Sequence, residues 1–407
     1  PPDPRKLLTP SNPKVYSAAP PEKRFHSFEQ SGRYTSACSG MIYLDDVLFE
    51  HSSPKVAQDA KGLAVQHVFT CEPFSNLVQH NLLIDDGVSF RLERDPAEEG
   101  ASDFFASEDR WCRPVMVRTG PDGALWVVDM YRYMIEHPQW LPKEGQDELR
   151  PFFRSGDDRG RIYRIVPKGA GQKLNPPAFL KQRKNADLVA DLESSNGWLR
   201  DSAQQQLVAR GDQSAKIPLE KILSTSARPT ARVHALCTLE GLGCLTDSHV
   251  QTALKDSHPA VRRWVVRLAP KAGVPIETLK PLVQDPHLKV RLELANIAGQ
   301  YQEAASGEIL AGLLSQNNDS YIHAAVMSSL HADNVRIVAE RFLTAVRDHS
   351  GTSGENRLLA GYSDADQDDL CSDLCEQAVL IGNPAEMDSV LTLLTGDTDS
   401  SLATWQM

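Results

Sequence analysis

The chain has no apolar run of the roughly eighteen residues that a membrane-spanning helix needs. It opens Pro1-Pro2-Asp3-Pro4, without a Met or a signal peptide, and is expected to be a piece of a longer protein. Its seven cysteines form no Cys-x-x-Cys and no Cys-x-x-Cys-His. That excludes a covalently attached c-type haem within these residues and argues against a zinc ribbon. Cys371 and Cys375 stand four apart, on one face if the segment is helical, and read as buried small hydrophobes rather than ligands. After Arg357 there is no Lys or Arg, while ten acids run from Asp364 to Asp399 and account for most of the net charge of −11. Such a block is a solvated face or a loose tail, and it opposes a nucleic-acid partner, which needs a basic surface. Asp364-Ala365-Asp366-Gln367-Asp368 imitates the start of a calcium loop. Asp369 and Cys375 stand where that loop needs Gly and Glu, so no metal site is assigned.

What is present divides into two periodicities. With 407 residues, 41% of them hydrophobic and 24% charged, the chain has the composition of a soluble globular protein and the length of two domains. From Met41 to Val166 short strand-like runs alternate with turns: 41–44, 65–70, 77–84, 88–92, 115–117, 125–128 and 162–166. Asp85-Asp86-Gly87 reads as a hairpin turn between two of them. Gly120-Pro121-Asp122-Gly123 reads as a tight turn, because Pro presets φ and the second Gly accepts a positive φ. It feeds the apolar run Ala124–Val128, which ends on Asp129, and 160–167 is expected to close that sheet. Strands at this spacing suggest a propeller or a sandwich rather than an α/β fold.

Past Lys168 the period becomes 3.6. A basic side chain recurs at Arg200, Arg232, Arg262, Arg291 and His323, each within a similar helical unit. Asp256 and Asp285 are expected to N-cap two of these helices, with Pro259 and Pro286 in the first turns. This is the pattern of a HEAT-type solenoid, in which each helix pair buries its apolar face against its neighbours. His234, His258, His287 and His323 belong to that repeat and are not expected to converge on a ligand.

The run Arg113-Pro114-Val115, then Pro121-Asp122-Gly123, Leu125-Trp126-Val127 and Asp129, resembles the last blades of the glucose/sorbosone dehydrogenase type of propeller. Phe69-Thr70-Cys71-Glu72-Pro73, Asn76-Leu77-Val78, Asp109–Pro114, Glu136–Trp140 and Asp158–Tyr163 resemble more closely the planctomycete and verrucomicrobial membrane-bound dehydrogenase-domain proteins. The resemblance covers roughly residues 30–300. It implies a multidomain β plus α chain, with a partial β-propeller (its last blades) followed by an α-helical HEAT-type solenoid. The expected parts are an irregular Pro-rich leader at 1–34, propeller blades at 35–168, a linker at 169–184, HEAT-type repeats at 185–350, and an acidic helical or loop segment at 351–407.

The resemblance further implies a sugar or alcohol oxidoreductase using the anionic quinone PQQ, with calcium in the intact protein and a periplasmic or cell-envelope location. Arg113 matches the cofactor-contacting arginine, and an Arg fork suits carboxylates. It could equally pair with Asp109 or Asp129 to tie blades together. Arg110 and Asp129 are the further cofactor-site candidates, but two residues separate Arg110 from Arg113 where the family has one. Ser75-Asn76 stands where the family has a cofactor-binding Lys, and the family's general-base His and calcium ligands match nothing here. Glu136 and His137 are candidates for proton transfer, or a brace for their loop. The alternative function is a non-catalytic propeller-plus-HEAT scaffold that binds a protein or polysaccharide.

Overall fold

A computed structural model describes residues 14–19, 34–45, 47–49, 65–95, 103–135, 139, 143–169, 180–316, 319–342, 364–381, 384, 388–390 and 392. The strand-like runs pair as two antiparallel sheets. In the first, β1 (Cys38–Ile42), β2 (Val65–Glu72), β3 (Leu77–Asp86) and β4 (Ser89–Arg94) lie in chain order, and the short β5 (Phe105–Ala106) also pairs with β3. In the second, β6 (Pro114–Thr119), β7 (Leu125–Asp129) and β8 (Arg161–Ile165) form a three-stranded meander. The expected hairpin joins β3 to β4 with Gly87 at φ 67°. β1 starts earlier than the apolar run at 41–44 and ends at Ile42. Tyr43 leaves the strand because its ring turns into the core, while its N–H still bonds His67 O at 2.8 Å.

The turn before β7 closes through Gly123 N–H to Gly120 O at 3.0 Å, with Gly123 at φ 79°. A side chain at Gly123 would also strike Val47 and Asp45, at 2.7 and 2.9 Å from its Cβ. Asp122 holds the turn from inside, accepting from Ala124 N, Trp126 Nε1 and Arg164 Nε. Burial alone would raise its pKa, but the bonds from Arg164, Trp126 and Ala124 outweigh burial and hold it below the usual carboxylate range. Alternation then sets the faces: Leu125, Val127 and Asp129 are buried, and Trp126 and Val128 are less so. The inward side chains of both sheets meet in one core of Tyr43, Phe69, Cys71, Val78, Val117, Leu125 and Val127.

After α1 (Lys143–Leu149), helices α2 (Asn185–Asp191) and α3 (Gly197–Arg210) follow. The chain packs as two compact units that divide between Ala209 and Arg210. The first helices of the repeat series thus pack with the strands. Arg200 donates to Ser194 O, Ser195 O and Leu44 O, and Asn196 Nδ2 bonds Pro121 O.

The second unit is helical. It contains α4 (Lys216–Thr225), α5 (Pro229–Gly241), α6 (Asp247–Ala253), α7 (Pro259–Leu268), a 3-10 run at Ile276–Gln284, α8 (Leu288–Ala298), α9 (Ala304–Gln316) and α10 (Ser320–Ser328). A helix at 335–342 and α11 (Asp364–Ile381) follow. Their apolar stripes are closed to solvent at Leu236, Val261, Val265, Val290, Leu294 and Val326. Asp364–Asp368, the imitation of a calcium loop, is the start of the helix α11.

The recurrent basic residue now has a geometric reason. Arg232 makes a two-pronged ion pair with Asp256 (2.7 and 2.7 Å), and its remaining nitrogen bonds Ser226 O. Arg262 does the same with Asp285 (2.7 and 2.9 Å) and bonds Asp256 O and Ser257 O. The expectation that Asp256 and Asp285 are N-caps is corrected. His258 and His287 are the N-caps, and each Asp lies two residues earlier, bonding that histidine's N–H and the arginine of the preceding repeat. At the next step the pattern changes. Asp319 caps its own helix through Tyr321 N and Ile322 N, and Arg291 Nε finds no hydrogen-bond partner among the described residues.

Candidate functional site

The loop Asp109–Cys112 enters β6 and brings the candidate residues together. Asp109 shapes it, accepting from Trp111 N at 3.1 Å, and Cys112 N–H closes it on Asp109 O. Asn76, at φ 59°, spans to it from the β2–β3 turn, donating to Arg110 O and Cys112 O at 3.2 and 2.6 Å. Asn76 thus holds main chain.

Arg113 is 4% exposed. Its Nε bonds Arg132 O at 3.0 Å, one terminal nitrogen bonds Pro73 O and Phe74 O at 3.0 and 3.3 Å, and the other bonds Tyr133 O at 2.9 Å. The guanidinium therefore clamps the β2–β3 turn to the segment after β7. Asp129, buried at the end of β7, accepts from Arg113 N and Tyr131 N at 2.7 and 2.8 Å, and faces the Tyr163 hydroxyl at 3.5 Å. Arg113 and Asp129 meet through the arginine's main-chain N–H, at the paired ends of β6 and β7 within one sheet, which is not a tie between blades. Asp109 pairs instead with Arg161, at 3.0 Å. Arg161 also bonds the Tyr163 hydroxyl and covers the Tyr131 ring at 3.7 Å, so its pKa is raised chiefly by Tyr163. Burial, then the neighbouring Asp129, pushes the Cys112 thiol up to about 12.

Tyr131 takes φ 53°, and Trp111 packs against both Tyr131 and Tyr133. Gly156 lies so close that a Cβ there would sit 2.3 Å from Tyr131 O, and Arg132 bonds Gly156 O. Arg110 is exposed. Glu136 and His137, with Pro138 and Trp140, lie outside the described residues.

These residues do not fit an anionic quinone. The Arg113 fork is turned onto four carbonyl oxygens, and the buried carboxylate of Asp129 lies beside its main chain. No reaction step is derived through such a cofactor. Among the described residues, no group of three or more His, Cys, Asp or Glu is arranged to hold a metal ion.

Sequence reasoning missed a second polar assembly, on the other face of the first sheet. Glu72, fully buried, accepts from the N–H groups of Thr35 and Ser36 and from both their hydroxyls, at 3.0 to 3.2 Å. Gln79 and Asn81 point the same way from β3. Gln79 takes bonds from Tyr34 and Asn81 and donates to Lys14 O and Asp103. Asp103 is paired with Arg94 and accepts from Tyr16 N. Two adjacent polar residues on one face of a buried strand were the only signal. In the core behind this sheet, His67 and His80 sit 2.9 Å apart, with Phe49 stacked on His67. Burial, then the neighbouring His80, pushes His67 down to about 4.

Residues 2–169 match the family described as Domain of unknown function (DUF7133). Residues 246–331 match HEAT repeats, the reading drawn from the recurring helical unit. No curated protein matches the chain. Among the described residues no helix is long and apolar enough to cross a membrane.

Proposed function

We propose that this chain is a binding scaffold, in which blades of a dehydrogenase-like β-propeller, without redox chemistry of their own, precede a HEAT-type solenoid that docks a protein partner. The observation that carries this reading is Arg113, whose guanidinium is spent on four main-chain carbonyls. Two meander sheets, with a Pro-Asp-Gly turn before the inner strand, support the blade assignment. The HEAT match supports the docking role, since such repeats commonly mediate protein interactions. On α7, Arg263, Trp264 and Arg267 form a partly exposed row, with Glu293 of α8 holding both arginines and Arg267 lying over the Trp264 ring. Arg and Trp are the side chains that interfaces favour.

The test is calorimetric titration of PQQ, with and without calcium, into the chain and into Arg113→Ala. No heat of binding supports the scaffold. Binding that Arg113→Ala abolishes overturns it and restores the sugar or alcohol dehydrogenase reading. In parallel, a protein partner retained by the chain and lost by Arg263→Glu/Arg267→Glu supports α7 as the docking face. Retention by that variant rules α7 out.

A further inference from the structure

Cys38 and Cys71 are directly opposite each other on the antiparallel strands β1 and β2. Residues in that relation have Cα atoms about 4.5–5.5 Å apart, within the span of about 4.4–6.8 Å that a disulfide bridges. Both side chains project to the same side, into or against the core shared by the two sheets. Cys71 is fully buried and Cys38 half-buried, and both are thiols in this structure. Cys38 Sγ presently faces Val115 O at 3.6 Å, so forming the bridge requires its side chain to turn from that carbonyl toward Cys71. The backbone beside it has slack: the register shifts between Cys38 and Met41, and Ser39 sits at φ 51° within that bulge.

We propose that Cys38 and Cys71 form a cross-strand disulfide that closes the segment between β1 and β2, made by exchange with a small-molecule disulfide of the glutathione class. Cys38, the accessible sulfur, attacks the small disulfide as a thiolate and releases one small thiolate. Cys71 then attacks the Cys38 sulfur of the mixed disulfide and releases the second. Two protein thiols are oxidised, one small disulfide is reduced to two thiols, and the two protons pass to the released thiolates. Burial pushes Cys71 up to about 12 and raises Cys38 as well, so exchange on the folded chain is slow at neutral pH and quickens as pH rises. The bridge persists where the surroundings are oxidising. Cys112 lies in the loop before β6, beside Asp129, and serves as an internal control.

The experiment equilibrates the full chain in glutathione buffers of graded oxidation, quenches with acid, alkylates under denaturing conditions and maps the peptides by mass spectrometry. The expected result is a linked pair of peptides carrying Cys38 and Cys71, lighter by two hydrogen atoms and separated by reductant, while Cys112 is alkylated. Cys71→Ala should leave Cys38 in no link to another cysteine at any poise, alkylated in reducing buffer and carrying the small thiol as a mixed disulfide in oxidising buffer. Full alkylation of both cysteines in the most oxidising buffer overturns the proposal, as does a link from either one to any other cysteine. The wild-type map decides the matter even where Cys71→Ala fails to fold.

Discussion

The main-chain N–H of Arg113 donates to Asp129 Oδ1 at 2.7 Å, and the same carboxylate oxygen takes the N–H of Tyr131 at 2.8 Å. One buried carboxylate thus fixes the entry to β6 and the exit from β7, and the Arg113 guanidinium fastens both to the β2–β3 turn. Arg113→Ala removes the donor from one buried carbonyl, that of Pro73, and from three part-buried ones, at about 1–3 kcal/mol for each that water cannot reach. The expected loss is at least about 3 kcal/mol in urea unfolding of the strand-bearing unit. Stability within about 0.5 kcal/mol of the parent would remove the clamp from the account.

The arginine–aspartate pairs of the repeats make a separate prediction. Arg262 and Asp285 are nearly closed to solvent, at 12% and 3% side-chain exposure. Removing one partner of such a pair strands the other, at about 3–5 kcal/mol. Arg262→Met should therefore lower the unfolding midpoint of the helical unit, and Arg262→Met/Asp285→Leu should recover much of the loss. Additive effects in the double-mutant cycle would show that the pair is not coupled.

Val261 and Val290 are both at 0% exposure, one in α7 and one in α8. A lone carboxylate at either place has no water and no partner. Val261→Asp or Val290→Asp should abolish the helical circular dichroism contributed by these repeats at room temperature. An unchanged spectrum would contradict the assigned faces.

Acid should act in two stages. His67 is held neutral in the fold, at about 4 against 6.5 when unfolded, so the unfolded chain binds the extra proton. Stability is full above about pH 6.5, declines as pH falls from there, and the decline from this group ends near 4. His67→Gln should flatten that slope. Asp256 and Asp285 are depressed below their ordinary value: burial opposes this, and the bonds from Arg232 and Arg262 outweigh it. Their contribution is present above the unfolded carboxylate pKa and is lost at more acid pH, as they protonate in the fold. Unfolding free energy measured from pH 7.5 to 3 should show both stages in the parent and a shallower first stage in His67→Gln, what remains of it coming from His258, which burial also holds below its ordinary value.

The elements that announce themselves in the sequence are those whose signal is local. β7 follows from a turn with its Gly at a positive φ and an apolar run, and α7 and α8 follow from apolar positions spaced by a helical turn. The partners of Arg113 are main-chain carbonyls 19 to 40 residues away, and no side-chain pattern encodes which carbonyls a fold will bring to an arginine. Asp256 and Asp285 look like caps because capping is the commonest local use of Asp. Their bonds to Arg232 and Arg262, across 23 or 24 positions, are visible only once the repeats stack. Glu72, Gln79 and Asn81 escaped for a related reason: a polar residue in a strand reads as solvent-facing until something folds over it.

The arginines of the solenoid bond backward to the turn that opens their own repeat and, at Arg232 and Arg262, forward to the aspartate of the next. Their couplings therefore run in series, and a linear array transmits cooperativity only as far as its weakest joint. Asp319 has been taken by its own helix, so the step after Arg291 lacks the ion pair that the two steps before it carry. On slow thermal fluctuation the array should part there first, with the helices beyond it exchanging their amide hydrogens as a unit of their own.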